Sequence, residues 1–335
     1  MRMRSLGRGL TLLVACALAA TACSSSAKAS APATTPATSA TSVTTDRPVT
    51  VGTRAISVAC QRPHKAGQFS QSFTFEGKSR TYQLYVPAAY NGTSRVPLVF
   101  NFHGFGSDAV EQMAYGNFKP EADQHDFLIV APDGQVTAAG RHYNLTGEKG
   151  LQNDVTMVGS LLDHLEATLC VDPSRVYATG MSDGGAMTSV LACVDSDKFA
   201  AFAPVAVIVY CGSPKSRPVA LEAFDGTADP IVPFYGGAVH CCGGAVLGSK
   251  PVAMANWAAH DHCHKQYTDT VLGTQVVRRR WSGCVSSSAT VFYIIEGGGH
   301  TWPGSIPIPS LGLTTTQINA SATIWKFFSA HTLSS

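Results

Sequence analysis

Arg175-Val176-Tyr177-Ala178-Thr179-Gly180-Met181-Ser182-Asp183-Gly184-Gly185 is the stretch that decides the architecture of this chain. It opens as an apolar run suited to a strand buried on both faces of a sheet. A G-x-S-x-G sequence follows at 180–184, and from Gly185-Ala186 onward the pattern reads as helix. A serine between a buried strand and a helix occupies a strained turn with its hydroxyl exposed. Glycine on either side lets strand and helix approach without Cβ clashes. The start of the helix turns unpaired N–H groups and a positive dipole end toward any anion that forms there. Ser182 is therefore read as a nucleophile.

Outward from this turn, apolar runs alternate with helical patterns. Residues 73–75 and 81–86 flank Gly77 as a hairpin, and Val96–Phe102 and 127–131 read as buried strands. Over 153–169, Val155, Val158, Leu162, Leu165 and Leu169 recur at three- and four-residue spacing, which predicts a helix. Later strands are expected over 202–209, 219–224 and 290–296, with a closing helix over 317–329. The alternation predicts an α/β fold of the α/β-hydrolase type, with a mostly parallel central sheet and helices on both faces.

A serine hydroxyl needs a base to act near neutral pH. In this fold the acid and then the base follow the serine in the chain, in loops at the carboxyl edge of the sheet. After 219–224 come Asp225-Gly226-Thr227-Ala228-Asp229-Pro230-Ile231-Val232-Pro233, and after 290–296 come Gly297-Gly298-Gly299-His300-Thr301-Trp302. His300 is read as the base and Asp229 as its orienting acid. Asp225 is the alternative acid, or a cap of the Asp229 turn. His103-Gly104-Phe105-Gly106 follows an earlier strand, so the backbone N–H groups of Phe105 and Asp183 are the expected oxyanion donors. His103 is given a structural role, and Asp154 a capping or supporting one.

The start of the chain reads as an address. Arg2, Arg4 and Arg8 precede an apolar run over 10–20, too short to span a membrane. Ala20-Thr21-Ala22-Cys23 resembles a bacterial lipobox, so residues 1–22 are expected to be a lipoprotein signal peptide and Cys23 the lipidated residue. An ordinary secretory peptide is the alternative. Residues 23–57 are rich in Ala, Ser, Thr and Pro and read as a disordered tether, leaving 58–335 as one enzyme domain. The expected location is the outer face of the bacterial cell membrane, held by the lipid anchor alone, or the secreted fraction.

The net charge of +2 with no basic stripe gives no reason to expect nucleic acid. Arg278-Arg279-Arg280 reads as a solvated strand end. Eight cysteines follow Cys23, an even count that suits disulfides in an oxidising compartment. Cys263 with Cys284 and Cys193 with Cys211 are the favoured pairs, while Cys241 and Cys242 could bond to each other or elsewhere. The cluster His260-Asp261-His262-Cys263-His264 carries metal-ligating residue types, but Cys263 is a disulfide candidate and the stretch ends a helix. No metal and no cofactor are expected, and a monomer is.

These motifs together resemble the esterase family that includes extracellular polyhydroxybutyrate depolymerases and feruloyl and acetylxylan esterases. The resemblance runs from about Cys60 to Phe328. It is carried by 103–106, Asn153-Asp154-Val155, 175–185, 225–233 and 296–304. It implies Ser182, Asp229 and His300 as nucleophile, acid and base, and Trp302 as a residue that either lines the substrate cleft or has a plain packing role. The chain departs from the family in carrying Asp183 where asparagine commonly follows the serine. That carboxylate either opposes negative charge at the oxyanion site or turns toward a local cation. No separate polymer-binding domain is visible, which favours a small or oligomeric ester of feruloyl, acetyl or hydroxyalkanoate type. Alternatives are an envelope acyltransferase of mycolyltransferase type and a non-catalytic binding lipoprotein on a hydrolase scaffold.

Overall fold

The computed structural model describes residues 60–212, 216–242 and 244–333. The expected signal peptide, Cys23 and tether lie outside these residues. The elements in chain order begin with β1 (Gly67–Phe75), β2 (Lys78–Val86) and β3 (Val96–Phe102), then α1 (Ala109–Gly116), α2 (Lys119–His125) and β4 (Leu128–Pro132). A small hairpin, β5 (Gln135–Thr137) and β6 (Gly140–His142), precedes α3 (Asp154–Thr168), β7 (Val171–Met181), α4 (Asp183–Val194), β8 (Ala201–Val205) and β9 (Ala220–Gly226). A second small hairpin, β10 (Gly237–Ala238) and β11 (Val246–Leu247), leads to α5 (Lys250–His260). The chain closes with β12 (Tyr267–Leu272), β13 (Val276–Trp281), β14 (Ala289–Ile295) and α6 (Ala320–Phe328).

Ten strands form one sheet in the order β1-β2-β4-β3-β7-β8-β9-β14-β13-β12. The inner strands β4, β3, β7, β8, β9 and β14 run parallel. Antiparallel strands complete both edges. Every residue of β3, β4, β8 and β9 is buried, as continuous apolar runs covered on both faces require. Residues of α3, α4 and α5 pack into the core on one face of the sheet, those of α1, α2 and α6 on the other. This is the expected α/β-hydrolase architecture. Each fully buried large apolar side chain, such as Phe100 or Phe202, contributes roughly 1.5–3 kcal/mol.

Local signals explain the boundaries. Asn153 caps α3 by accepting from the N–H groups of Val155 and Thr156, relieving the orphan donors of its first turn. The strand expected over 202–209 stops at Val205, because Ala206 turns into the left-handed region (φ +63°). The arginine run is not a strand end but lies inside β13. There Arg279 pairs with Asp269 of β12 at 2.9 Å and covers the Tyr267 ring at 3.7 Å. Cross-strand pairing of this kind stabilises the exposed face of the hairpin, while Val276 and Trp281 at the two ends of β13 are buried in the core.

Both favoured disulfides form, Cys193–Cys211 and Cys263–Cys284; Cys241 bonds to Cys242, and Cys60 pairs with Cys170.

Candidate active site

Sheet order reverses at β3, which has β4 on one side and β7 on the other. Loops leaving the carboxyl ends of such neighbours diverge and leave a crevice between them. Ser182 stands in that crevice as the residue between β7 and α4, with φ 59° and ψ −114°. A non-glycine residue held in this region is strained, and the surroundings show what holds it. Its N–H donates to Val205 O at 2.9 Å, and its carbonyl accepts from Ala186 N at 2.9 Å. Behind it, a Cβ on Gly184 would stand 2.1 Å from Phe102 O. Strand β3 and helix α4 meet too closely for any side chain there.

The loop 103–106 faces the serine. His103 is fully buried, and burial holds its pKa below the ordinary histidine range despite the hydrogen bond to Gly104 O. Its Nδ1 bonds to Gly104 O at 2.7 Å and its Nε2 accepts from Gly134 N at 2.9 Å. The ring thus fixes the shape of the loop, as expected of a structural histidine. Neither Phe105 N–H nor Asp183 N–H is bonded to an acceptor among the described residues.

The Asp183 carboxylate turns away from the serine. Its Oδ2 accepts the Tyr143 N–H at 2.9 Å. Burial pushes its pKa up to about 6, opposed by that hydrogen bond and by nearby His142. Asp154 stabilises the same loop from beneath. It accepts Asn144 N at 2.7 Å and Gln135 Nε2 at 2.9 Å, and it pairs with Arg80. Asp154 is the first residue inside α3, so capping falls to Asn153 and Asp154 ties three segments together.

On the opposite side, His300 follows β14 and Asp229 follows β9, adjacent parallel strands. His300 Nδ1 lies 2.8 Å from Asp229 Oδ2, with the side chains 4% and 0% exposed. Asp229 Oδ1 accepts from the N–H groups of Ile231 and Val232 at 2.9 and 2.8 Å. Burial alone would raise the Asp229 pKa, but the His300 hydrogen bond and charge, with Lys250 and the Val232 N–H, bring it to about 2. Asp225, the alternative acid, makes no hydrogen bond to His300 and instead lies 2.9 Å from Lys250 Nζ.

Ser182 and His300 line one cavity of about 650 Å³. Its other walls are mainly apolar: Phe105, Tyr115, Met181, Ile231, Ile306, Ile308, Leu311 and the Cys241–Cys242 pair. Ser107, Glu111 and Gln112 supply polar groups on the α1 side. Trp302, a candidate for this wall, is not part of it. Its ring is 1% exposed, packs edge-on against Phe118 and donates Nε1–H to Ser321 Oγ at 3.0 Å. An indole whose N–H finds a buried partner gains from full burial. Its backbone N–H reaches the hydroxyl of Tyr115 at 3.3 Å, and Tyr115, with Phe105, lines the cavity. The sequence reading missed Tyr115 because α1 is short and was not recognised.

The histidine cluster at 260–264 does not converge. His260 Nε2 lies near Ser216 Oγ and Arg217 O, Asp261 accepts from Val219 N and Thr290 Oγ1, and Cys263 is in a disulfide. Among the described residues no group of His, Cys, Asp and Glu is arranged to hold a metal ion.

Proteins of similar sequence and fold are esterases. Residues 80–232 match the family model described as esterase PHB depolymerase. A probable feruloyl esterase C of Aspergillus oryzae is 29% identical over 260 residues, covering 75% of this chain and 84% of that one. A putative esterase, NocK, of Nocardia uniformis is 27% identical over 275 residues, covering 75% and 79%. Among solved structures, the acetyl xylan esterase from Aspergillus awamori shares the fold, with a TM-score of 0.55 and 16% identity over 78% of this chain and 99% of that one.

Proposed function

Taking as premise that the chain belongs to the polyhydroxybutyrate depolymerase- and feruloyl esterase-like family of ester hydrolases, we propose that it is an exported serine esterase working through Ser182, His300 and Asp229. His300 accepts the Ser182 proton as the hydroxyl oxygen attacks the ester carbonyl. Asp229 orients the ring and stabilises the imidazolium. The Phe105 and Asp183 N–H groups receive the oxyanion, the alcohol leaves with the proton from His300, and water releases the acid from the acyl-enzyme. The observation that carries this reading is the buried 2.8 Å contact of His300 Nδ1 with Asp229 Oδ2 on the cavity that Ser182 lines.

The mainly apolar cavity suits an uncharged acyl group, of feruloyl or acetyl type or from a hydroxyalkanoate oligomer. Four disulfides support an oxidising compartment outside the cytosol. Among the described residues no helix is long and apolar enough to cross a membrane; lipidation of Cys23 is the proposed means of attachment at a cell surface.

The test is hydrolysis of p-nitrophenyl acetate and butyrate, methyl ferulate and a soluble hydroxybutyrate oligomer. A Ser182→Ala control and fluorophosphonate labelling run beside it. Ser182→Ala is expected to lower kcat by about 10⁴-fold or more and to abolish labelling. Folded protein with neither turnover nor label would leave a non-catalytic binding role as the better account.

A further inference from the structure

Behind His300 lie three buried ionisable groups whose charges do not cancel in pairs. Asp225, near the end of β9, and Asp229, in the turn after it, share one ammonium. Lys250 Nζ lies 2.9 Å from Asp225 Oδ1 and 3.0 Å from Asp229 Oδ2. Its remaining bond is donated to Ala206 O at 2.9 Å, a carbonyl presented by the left-handed turn after β8. The lysine and both carboxylate side chains are at most 2% exposed, where an unpaired charge costs several kcal/mol. With both carboxylates ionised and the imidazole neutral, the cluster carries one net negative charge; a proton on His300 brings it to zero. Without the ammonium, two neighbouring buried carboxylates could not both stay ionised.

The geometry points to Lys250 as a positioning residue of the esterase reaction. It holds Asp229 Oδ2 against His300 Nδ1 and offsets the charge of Asp225, so that the imidazolium formed in catalysis meets one unbalanced carboxylate. The inference rests on the Ser182, His300 and Asp229 reading above. Lys250 does not line the cavity, so it acts through Asp229 and not on the substrate.

The other ionisable groups nearby are differently placed. His240, on the hairpin loop packed against the Asp229 turn, bonds to Pro230 O and is exposed. Glu296, after β14, is exposed and bonds to Thr227. Glu222 of β9 faces the other side of the sheet by strand alternation. Glu111 stands on the cavity wall, and Asp183 is turned toward Tyr143.

The experiment is the pH profile of kcat/KM for p-nitrophenyl butyrate, recorded on the full chain and on two variants, Lys250→Met and Asp225→Asn. Lys250→Met is expected to lower kcat by about 10²-fold through misplacement of the acid, with KM within about twofold. Its acid limb should move to higher pH by about one unit, because a nearby cation no longer opposes protonation. Asp225→Asn should move the same limb to lower pH, because it removes a negative charge and leaves the ammonium. Displacements in opposite directions are a signature that simple loss of packing does not give. Should Lys250→Met fail to fold, the Asp225→Asn limb decides alone: a shift to lower pH supports the inference, and an unmoved limb overturns it. Limbs that coincide with the parent's, in an enzyme silenced by Ser182→Ala, overturn the role of Lys250 while the esterase reading stands. Activity that survives Ser182→Ala removes both.

Discussion

The serine side and the histidine side of the cavity are held in place by different physics. On the serine side the means are steric. Ser182 is fixed in a left-handed turn because β3 and α4 close to within a distance that only glycine permits at 184. On the histidine side the means are electrostatic. Asp229 is fixed by His300, Lys250 and two backbone N–H groups, and burial makes each bond stronger than it would be in water. Steric positioning can be written into a few consecutive residues. Electrostatic positioning joins residues far apart in the chain, here 21 and 71 positions from Asp229. The family match, which ends at residue 232, reaches the serine side and Asp229 but stops before Lys250 and His300.

Substitutions that separate the two mechanisms give graded outcomes. The largest effect on rate is expected from Asp229→Asn, a fall in kcat of about 10⁴-fold as His300 loses its orienting charge. Asp225→Asn should fall much less. Equal losses in steady-state assays of the two variants would show that the acid has been misassigned.

Gly184→Ala is expected to destabilise the fold by about 3 kcal/mol, since the new Cβ would overlap a backbone oxygen that cannot move without β3. Urea denaturation measures it. A midpoint within error of the parent's would break the steric account of the serine side.

Asp183→Asn is a smaller test and concerns sign. The Asp183 carboxyl, raised to about 6 mainly by burial, is mostly ionised at pH 8 beside the proposed oxyanion site. The variant should therefore raise kcat severalfold there and change nothing near pH 5, where the parent is already neutral. Because the folded-state pKa is raised, this group's contribution to stability is full below the ordinary carboxylate range and lost as pH rises through about 6. Thermal melts should thus show Asp183→Asn gaining on the parent as pH rises from about 4 to 6, holding that lead above pH 6, and matching it only below about pH 4. A constant offset at all pH values would mean that lost hydrogen bonding, not charge, dominates.

The smallest kinetic effect belongs to Trp302→Phe. The ring is buried away from the cavity, so KM for methyl ferulate should stay within about twofold. Loss of the Ser321 hydrogen bond should cost about 1 kcal/mol of stability. A tenfold rise in KM would return Trp302 to the substrate wall.

The same contrast explains what could be read from the sequence. The serine turn was legible because strand, glycine spacing and helix occupy eleven consecutive residues, 175–185. The parallel strands were legible because burial on both faces leaves continuous apolar runs, as in Val96–Phe102. The hairpin β12–β13 was legible only in outline, as a unit closed by Cys263 and Cys284 with a strand around 278–280, since its exposed residues mix charges with apolar groups and pairs such as Arg279 with Asp269 set its register. Lys250 carried no local signal either. A lysine followed by proline at a helix start looks like solvated surface, and only the fold turns it inward. The place of Trp302, cleft wall or packing, stayed open in the sequence because a motif fixes a position in the chain, whereas the side of the loop a ring takes depends on Phe118 and Ser321 from other elements.

The disulfide between Cys60 and Cys170 has a mechanical consequence. Strand β1 lies at the edge of the sheet, so a pull on its leading end would peel it from β2 one hydrogen bond at a time. Cys60 precedes β1 and is covalently joined to Cys170, immediately before β7 near the middle of the sheet. Tension arriving from the chain ahead of Cys60 therefore bypasses the edge strand and enters the fold at β7. Unzipping becomes a load spread across the interior, and a reductant would turn a force-tolerant attachment into one that opens from the edge.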